Sequence, residues 1–406
     1  MSTNHPPAQA LPTRQPAAAP NAQQPPRPVF GSFWMGGFES ACQINSRGQR
    51  LDMIAQTQHD RFAFQDYRNL HGVGIAAARD GVRWHLVDRG SHYDFRSLTP
   101  LVQAARQADV RVVWNLCHYG WPTNVDVLAP SFVDRFARYV RAVVQHIRDL
   151  TDQPLAFVPI NEISFLAWGI CTDCIIYPYA FGHGRAVKQQ LIRAAIAACE
   201  AIWDVDPAAR IMHVDPIIHV VPPRDQPDLI EAARDQHNTQ WEAWDMLAGR
   251  HEPHLGGHPR YLDIVGVNYY HANQWEHPDV RLRWEDVPLD ARWVPLRTLL
   301  DEVHRRYGRP MVMAETSHFG DGRARWISSV GHQLCESMSQ GVPIDGVCLY
   351  PIIDRPDWDT EGHWHNSGLW DIHPQPDGTL KRRLNTDYAE AFERCRAMLE
   401  SAQARS

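Results

Sequence analysis

The chain has 406 residues, 44% of them hydrophobic and 21% charged, with a formal net charge of −7 at pH 7. This composition excludes disorder of the whole chain and is ample for a large core. The acidic balance, without any basic run, argues against nucleic acid or an anionic membrane surface as a partner. Length alone does not fix the number of domains, because a barrel of alternating strands and helices often exceeds about 250 residues as one unit.

The cysteines and the N-terminal residues indicate in which cellular compartment the protein is expected. The eight cysteines are scattered along the chain, a pattern typical of reduced thiols and not of a disulfide framework. The first residues lack a basic segment followed by an apolar one, and no apolar run is long enough to span a bilayer. We therefore expect a cytoplasmic protein without a membrane partner, which could assemble as a homo-oligomer.

Residues 1–28 differ in composition from the rest, since Pro, Ala and Gln dominate them. Such a segment buries too little apolar surface to offset the entropy lost on ordering. The sequence therefore predicts a disordered tail at 1–28 and a folded domain at 29–406.

From residue 29 onward, short apolar runs alternate with amphipathic helical patterns. A long connection rich in aromatic residues, Gly and Pro is predicted at 168–184, and loops of that size at a barrel mouth often shape substrate access. The predicted strands are at 33–43, 75–79, 110–117, 155–162, 210–214, 264–269, 311–315 and 346–350. The predicted helices are at 60–70, 101–108, 131–147, 188–203, 241–247, 296–307, 327–339 and 385–402. Eight strands alternating with helices predict an α/β fold, a single closed (β/α)8 TIM barrel.

Two of the predicted strands end on a glutamate, Glu162 and Glu315. A parallel barrel brings the C-terminal ends of its strands to one face, so carboxylates far apart in sequence can meet there. Retaining glycoside hydrolysis needs one carboxylic acid to protonate the leaving oxygen and one carboxylate to attack the anomeric carbon. Glu162, beside apolar Ile163, suits the buried acid, and Glu315 suits the nucleophile if a cation such as Arg79 keeps it ionised. For either glutamate alone, an ion pair at the barrel rim would be an equally good interpretation.

Further motifs follow the other predicted strand ends in a recognisable order. Strand one leads to Gln43, strand two to Arg79 with Trp84, and strand three to His118 with Trp121 and Pro122. Asn161 and Glu162 end strand four, the run Gly-Val-Asn-Tyr-Tyr ends at Tyr270, and the segment after strand eight contains Tyr350, Asp357 and Trp358.

Taken together over residues 30–373, these motifs resemble those of glycoside hydrolase family 1, the β-glucosidase type within clan A. The resemblance implies that Glu315 is the nucleophile, Glu162 the acid/base, and that neither a cofactor nor a metal is needed. It also implies that Arg79 and Tyr270 support the nucleophile. Roles in binding the sugar are implied for Gln43, His118, Asn161, Tyr350, Asp357 and Trp358.

Several positions depart from the pattern of that family. Ile163 stands where proline usually follows the acid/base, and residues 316–317 are Thr-Ser where Asn-Gly usually follows the nucleophile. Tyr350 replaces a tryptophan, Asp357 a glutamate, and Glu39 a small or hydroxyl residue. These changes indicate a divergent branch or a neighbouring family of the clan. They do not determine which sugar the site binds.

Two other groups of residues have the chemistry of metal ligands. Cys171 and Cys174 have the spacing of half a zinc site, but no second pair completes four ligands. His213, Asp215 and His219 around strand five could belong to a metal-dependent barrel hydrolase. Strand one lacks the histidine pair that such a site would also need, so rim and loop positions are the better interpretation.

The sequence thus predicts a retaining β-glycosidase whose partner is a small carbohydrate, a β-glycoside. Two alternatives use the same scaffold. One transfers the glycosyl group to an acceptor other than water, and the other is a carbohydrate-binding barrel that has lost turnover through the changes beside both glutamates.

Overall fold

The computed structural model describes residues 29–403. The predicted tail at 1–28 lies outside the described residues, so the domain division at residue 28 stays a prediction. None of the helices described is long and apolar enough to cross a membrane.

Eight parallel strands close into one barrel, which confirms the predicted (β/α)8 fold. Around the barrel the order is β1, β2, β3, β4, β5, β7, β10 and β11, and β11 pairs with β1 to close it. The strands, numbered along the chain, are β1 Trp34–Gly37, β2 Ala77–Gly81, β3 Arg111–Asn115, β4 Ala156–Val158, β5 Arg210–Pro216, β6 His219–Val221, β7 Ile264–Asn268, β8 Gln274–Glu276, β9 Val280–Arg281, β10 Met311–Thr316, β11 Ile344–Leu349, β12 Trp370–Pro374 and β13 Leu380–Leu384.

The first strand is shorter than predicted, because it ends at Gly37 and not at residue 43. Its last ladder partner is Arg79 on β2, and the backbone then turns across the barrel mouth. There the Cys42 N–H donates to the His118 carbonyl at 3.2 Å. Gln43 therefore lies on a loop over the C-terminal ends of the strands.

Helices surround the barrel. One of them, α6, spans Ile163–Cys171, so the prediction of a loop from residue 168 was wrong at its start. Its apolar side chains Ile163, Leu166 and Ile170 recur at helical spacing and are buried. The helices are α1 Met53–Gln56, α2 His59–Gly72, α3 Trp84–Val87, α4 Thr99–Gln107, α5 Ser131–Leu150, α6 Ile163–Cys171, α7 Gly184–Val205, α8 Ile230–Asn238, α9 Glu242–Leu247, α10 Leu296–Tyr307, α11 Gly322–Ser339 and α12 Thr386–Gln403.

Two small sheets outside the barrel were not predicted. Strands β12 and β13 form an antiparallel hairpin, and β6, β8 and β9 form a three-stranded sheet near the mouth. The sequence of β13, with three successive basic residues at 381–383, lacks the alternation by which a half-buried strand is recognised.

The core has two main parts. Side chains inside the barrel form one cluster, which includes Met35, Val113, Met212 and Val312, and Phe30 from the segment before β1 joins it. A larger cluster packs the outer faces of the strands against the helices. This scaffold holds the C-terminal strand ends at fixed positions around a common axis.

Candidate active site

Glu162 lies at the turn between β4 and α6. Its backbone has a φ of +46°, a left-handed conformation that is uncommon outside glycine and collects at functional sites. Its carboxylate is buried and accepts two hydrogen bonds from neutral donors. Oε1 accepts from Asn268 Nδ2 at 2.8 Å, and Oε2 accepts from the Tyr119 hydroxyl.

The surroundings of Glu162 favour its protonated form. Burial raises the pKa of its carboxyl, and the nearby Glu315 carboxylate raises it further, to about 8. The hydrogen bonds from Tyr119 and Asn268 act in the opposite direction and are outweighed. These surroundings favour a protonated carboxyl group, which is the form that can donate a proton.

Glu315 lies near the end of β10 in a different electrostatic environment. Its Oε1 accepts from Arg79 Nη1 at 2.5 Å, and its Oε2 accepts from the Tyr270 hydroxyl at 2.6 Å. Burial by itself would lower the pKa of Arg79, but the adjacent Glu315 raises it above its ordinary value. The guanidinium is therefore permanently charged and stabilises a carboxylate beside it, as a nucleophile requires.

Arg79 connects the two glutamates through its remaining nitrogens. Its Nη2 donates to Asn161 Oδ1, the side chain directly before Glu162. Its Nε donates to Asn115 Oδ1 at 3.1 Å. One fully buried guanidinium thus fixes the ends of β2, β3, β4 and β10 relative to one another.

His118 lies beyond β3 beside this network. Its Nε2 is 3.2 Å from Asn161 Nδ2, and its Nδ1 is 3.1 Å from Ser40 Oγ. Burial first, and then the charges of Arg79 and Arg355, hold the pKa of His118 well below its ordinary value. The imidazole is consequently neutral, with one nitrogen that accepts a hydrogen bond and one that donates.

Two buried side-chain oxygens in this region lack a hydrogen-bond partner among the described residues, namely Gln43 Oε1 and Asn268 Oδ1. Gln43 is 1% exposed and Asn268 is fully buried. An unsatisfied buried oxygen of this kind costs about 1–3 kcal/mol. Donors from outside the chain, such as water or sugar hydroxyls, would satisfy both.

Tyr350 follows β11 and packs over the guanidinium of Arg79, whose Cζ lies 5.2 Å from the ring centroid. A Cβ on Gly37 would lie 2.1 Å from Tyr350 Cδ2, so glycine at this point of β1 makes room for the ring. The Tyr350 hydroxyl donates to Glu39 Oε1 at 3.2 Å. Tyr350 therefore belongs to the same buried cluster as Arg79 and Glu315.

Asp357 and Trp358 lie on the loop after β11. Asp357 Oδ1 accepts the N–H groups of Asp359 and Thr360 at 2.8 and 2.7 Å, and its Oδ2 lies 2.8 Å from His365 Nε2. The hydrogen bonds of the Asp357 carboxylate are therefore all to residues of the same loop. Trp358 lies nearer the glutamates, because its ring is 5.7 Å from that of Tyr119.

A line of aromatic rings leads outward from Glu162. The Tyr119 ring, whose hydroxyl reaches Glu162, is 5.4 Å from Phe165 on α6. Phe165 is in turn 5.4 Å from Trp168, which is 41% exposed. These rings offer an apolar surface that extends from Glu162 to the exposed Trp168.

The metal sites weighed from the sequence do not assemble among the described residues. Asp215 Oδ1 accepts the Ser164 N–H at 3.0 Å, while His213 Nε2 is 3.6 Å from Cys199 Sγ. The His219 ring instead lies at right angles to that of His237. Cys171 and Cys174 are free thiols.

The sequence analysis missed a different cluster with ligand-like geometry. One potential ligand atom each of His271, Glu285 and His318 lies within 4.8 Å of the others. His318 Nε2 is 3.0 Å from Glu285 Oε1, and its Nδ1 accepts the Phe319 N–H at 2.8 Å. Both nitrogens of His318 therefore already have partners within the chain.

Four residues of the site were not named as site residues from the sequence. Tyr119 and Asn268 bind the carboxylate of Glu162, Glu39 accepts a hydrogen bond from Tyr350, and Arg355 forms a salt bridge with Glu39. Tyr119 and Asn268 each adjoin a motif residue, so their positions were available. Their contacts depend on backbone turns, such as the φ of +67° at Tyr119, which the sequence does not indicate.

Comparison of the whole structure with solved structures identifies proteins of the same fold. A family 1 β-glucosidase from Thermotoga maritima superposes with a TM-score of 0.72 at 14% sequence identity, covering 91% of this chain and 98% of that one. The chain has the β-glucosidase fold. The same T. maritima enzyme in complex with deoxynojirimycin gives a TM-score of 0.71 at 15% identity, with the same coverage.

A second neighbour comes from another organism. The AHE enzyme from Alicyclobacillus herbarius superposes with a TM-score of 0.68 at 17% identity, over 84% of this chain and 87% of that one. No protein-family model matches the sequence, and no curated protein is similar to it in sequence. The resemblance to family 1 β-glucosidases is therefore one of fold, beyond the motifs named above.

Proposed function

We propose that this protein is a retaining β-glycosidase that hydrolyses a small β-glycoside by double displacement. One observation carries the proposal. The two glutamates at the ends of β4 and β10 have opposite electrostatic surroundings, since Glu162 is buried among neutral donors and Glu315 is paired with Arg79. An acid and a nucleophile at the same pH require this asymmetry.

In the first step, Glu315 attacks the anomeric carbon and the bond from that carbon to the glycosidic oxygen breaks. Glu162 gives its proton to the departing oxygen, so the aglycone leaves as a neutral alcohol. Arg79 and Tyr270 hold the Glu315 carboxylate in position for the attack. The product of this step is a glycosyl ester on Glu315.

In the second step, Glu162 acts as a base. Its carboxylate takes a proton from water as the water oxygen attacks the anomeric carbon, and Glu315 leaves as a carboxylate. The sugar departs with its original configuration. Asn161, His118 and Gln43 are proposed to hold the sugar hydroxyls, and the partnerless Gln43 Oε1 supports this role. Binding roles for Tyr350, Asp357 and Trp358 remain predictions from the family resemblance.

Substitution of the nucleophile tests the proposal. Glu315→Gln keeps the size of the side chain but removes its negative charge, so turnover of 4-nitrophenyl β-glycosides should fall by at least about 10,000-fold. Glu336→Gln, on an exposed part of α11, is a suitable control and should keep full activity. Retained activity in Glu315→Gln would remove Glu315 from its role.

A panel of nitrophenyl α- and β-glycosides would identify the sugar and the anomer together. Activity confined to β-glycosides is expected. Binding of a β-glycoside by calorimetry without any turnover would favour the non-catalytic alternative. Products formed with added alcohols would reveal transfer to acceptors other than water.

A further inference from the structure

A third carboxylate, Glu39, lies close to the two proposed catalytic glutamates. It is 6% exposed and follows β1 by two residues. Its Oε1 accepts from the Ala41 N–H at 3.0 Å and from the Tyr350 hydroxyl at 3.2 Å. His118 Nε2 is 3.8 Å from the same oxygen. Glu39 thus adjoins two side chains that belong to the cluster around Arg79.

The second oxygen of Glu39 pairs with a cation. Arg355 Nε lies 3.3 Å from Glu39 Oε2. A carboxylate has about four acceptor positions. Ala41 and Tyr350 donate to Oε1 and Arg355 contacts Oε2, so one position on Oε2 remains. Burial raises the pKa of Glu39 and outweighs the charge of Arg355, which acts to lower it. The salt bridge to Arg355 orients the carboxyl group, and its remaining acceptor position can meet a hydroxyl group.

Asp357, the acidic residue that the family resemblance assigns to the sugar, has a different location. Its three partners are all within residues 359–365, and its side chain is 24% exposed. No contact between Asp357 and the Arg79 cluster occurs among the described residues. A buried carboxylate beside His118 and Tyr350 is better placed to meet a sugar that reaches Glu315.

Charges around the site are balanced in pairs. Arg79 is paired with Glu315 and Arg355 with Glu39, while Glu162 carries a proton. An anionic sugar would have to compete with a resident carboxylate for either guanidinium, at the cost of an unpaired buried charge. A neutral sugar keeps both pairs intact.

From these contacts we propose that Glu39, held by Arg355 and Tyr350, is the carboxylate that binds a hydroxyl of the sugar, and that the site selects a neutral glycone. This inference rests on the proposed glycosidase function and deepens it. Glu39 is a specificity-determining residue that replaces the role expected of Asp357.

The test compares sugars that lack one hydroxyl. Probes are 4-nitrophenyl β-D-glucoside and its 3-, 4- and 6-deoxy derivatives, or the corresponding galactosides or mannosides if the panel prefers them. In the unmodified protein, loss of the hydroxyl bound by Glu39 should lower kcat/KM by roughly 10- to 100-fold, as expected for a hydrogen bond to a charged group. In Glu39→Gln that penalty should shrink to a few-fold for the same derivative.

Asp357→Asn is the matched comparison, because it changes the other candidate carboxylate. In this variant, removal of the same sugar hydroxyl should lower kcat/KM by the same factor as in the unmodified protein. If Asp357→Asn abolishes the penalty and Glu39→Gln keeps it, the assignment of Glu39 is overturned. Equal penalties in all three proteins for every derivative would also overturn it.

Charge selectivity gives a second readout that needs no folded Glu39 variant. The unmodified protein should hydrolyse the neutral glucoside at least about 100-fold better than 4-nitrophenyl β-D-glucuronide or the 6-phosphoglucoside, since an unpaired buried charge is costly. Glu39→Gln removes the carboxylate that pairs with Arg355, so the preference for the neutral glucoside over the anionic sugars should become smaller. A preference of the unmodified protein for either anionic sugar would contradict the proposal.

Failure of the proposed function would be visible separately. If no glycoside is turned over, calorimetry with the methyl β-glycosides and their deoxy derivatives measures binding constants. These constants then replace kcat/KM in the comparison between the parent sugar and its deoxy derivatives. A penalty that depends on Glu39 would then support the binding role while the hydrolytic mechanism fails. A penalty that Glu39→Gln leaves unchanged would overturn the inference itself.

Discussion

At the scale of single residues, Glu162 and Glu315 differ in what surrounds their carboxylates. Glu162 meets an amide and a phenol hydroxyl, and Glu315 meets a guanidinium and a phenol hydroxyl. The difference lies in one positive charge. Enzymes obtain an acid and a nucleophile from the same type of side chain by giving the two groups different surroundings.

The raised pKa of Glu162 predicts the alkaline limb of the pH profile. With a pKa of about 8, the proton needed by the leaving oxygen is lost as pH rises through 8, so kcat/KM should fall above that pH. The measurement is the pH dependence of kcat/KM for a poorly activated aryl β-glycoside. In Glu162→Gln this limb should vanish, together with most of the activity toward that substrate. If kcat/KM of the variant still falls at the same pH, the group that titrates there is not Glu162.

Sequence reasoning at this scale located residues that lie in the barrel strands or shortly after them, and their roles in a site stay predictions. Arg79, Asn161, Glu162, Tyr270 and Glu315 were all predicted as site residues, and the structure brings them into one hydrogen-bonded network. The contacts of Glu39 escaped prediction because they depend on Arg355, more than 300 residues away in the chain. Such a pairing follows from barrel closure and cannot be recognised in the local sequence.

At the scale of secondary structure elements, a buried network joins α2, β2 and the hairpin β12–β13. His59 Nδ1 is 2.9 Å from Asp66 Oδ2, and its Nε2 is 2.9 Å from Asp80 Oδ2. Arg382 on β13 makes a salt bridge to Asp66, with Nε 2.8 Å from Oδ1. The unpredicted hairpin is therefore tied to the barrel by charge, which explains how strand β13, with its polar sequence, is held in place.

This network predicts a pH-dependent stability. Burial opposes the charged form of His59, but Asp80 and Asp66 outweigh it and raise the pKa of His59 to about 9. A group with a raised pKa in the folded state stabilises fully below its unfolded pKa of about 6.5 and loses that contribution as pH rises through 9. The free energy of unfolding should thus drop by about 3 kcal/mol between these pH values.

Urea unfolding at a series of pH values measures this change. His59→Gln should be less stable at pH 6 and should lose most of the slope between pH 6.5 and 9. His92→Gln, in an exposed loop, is the matched control and should keep the slope. An identical slope in the protein with His59→Gln would show that other groups cause the pH dependence.

Prediction of the elements themselves was most reliable for the barrel. All eight barrel strands were located, and α10 was predicted with its observed bounds. Strand one was placed too long because its apolar run continues past the point where β2 and β11 still offer ladder partners. Helix α8 was missed because only Ala233 is buried along it, which leaves little periodic apolar signal.

At the scale of the whole molecule, the barrel interior is packed from the N-terminal side by a residue that precedes the first strand. Phe30 is 4% exposed and belongs to the interior cluster with Met35 and Val113. The segment leading into β1 therefore takes part in the core. The folded part of the chain therefore includes residue 30, while the predicted domain start at residue 29 stays a prediction.

Two variants separate the contributions of the tail and of Phe30. Removal of residues 1–28 should leave the melting temperature and the activity unchanged, because a disordered tail would add no contact to the core. Phe30→Ala should cost about 3–5 kcal/mol, since a large buried ring is replaced by a cavity. Differential scanning calorimetry of both proteins checks these outcomes. A large loss of stability on removal of 1–28 alone would contradict the prediction of a disordered tail.

Identification of the residue that becomes covalently attached to the sugar tests the central claim most directly. A 2-deoxy-2-fluoro β-glycosyl fluoride of the preferred sugar should form the glycosyl ester but release it slowly, because the fluorine destabilises the positively charged transition state. Mass spectrometry of the digested protein should then find the sugar on the peptide that contains Glu315, and at Glu315 itself. Attachment to Glu162, to Glu39 or to any other residue would contradict the account.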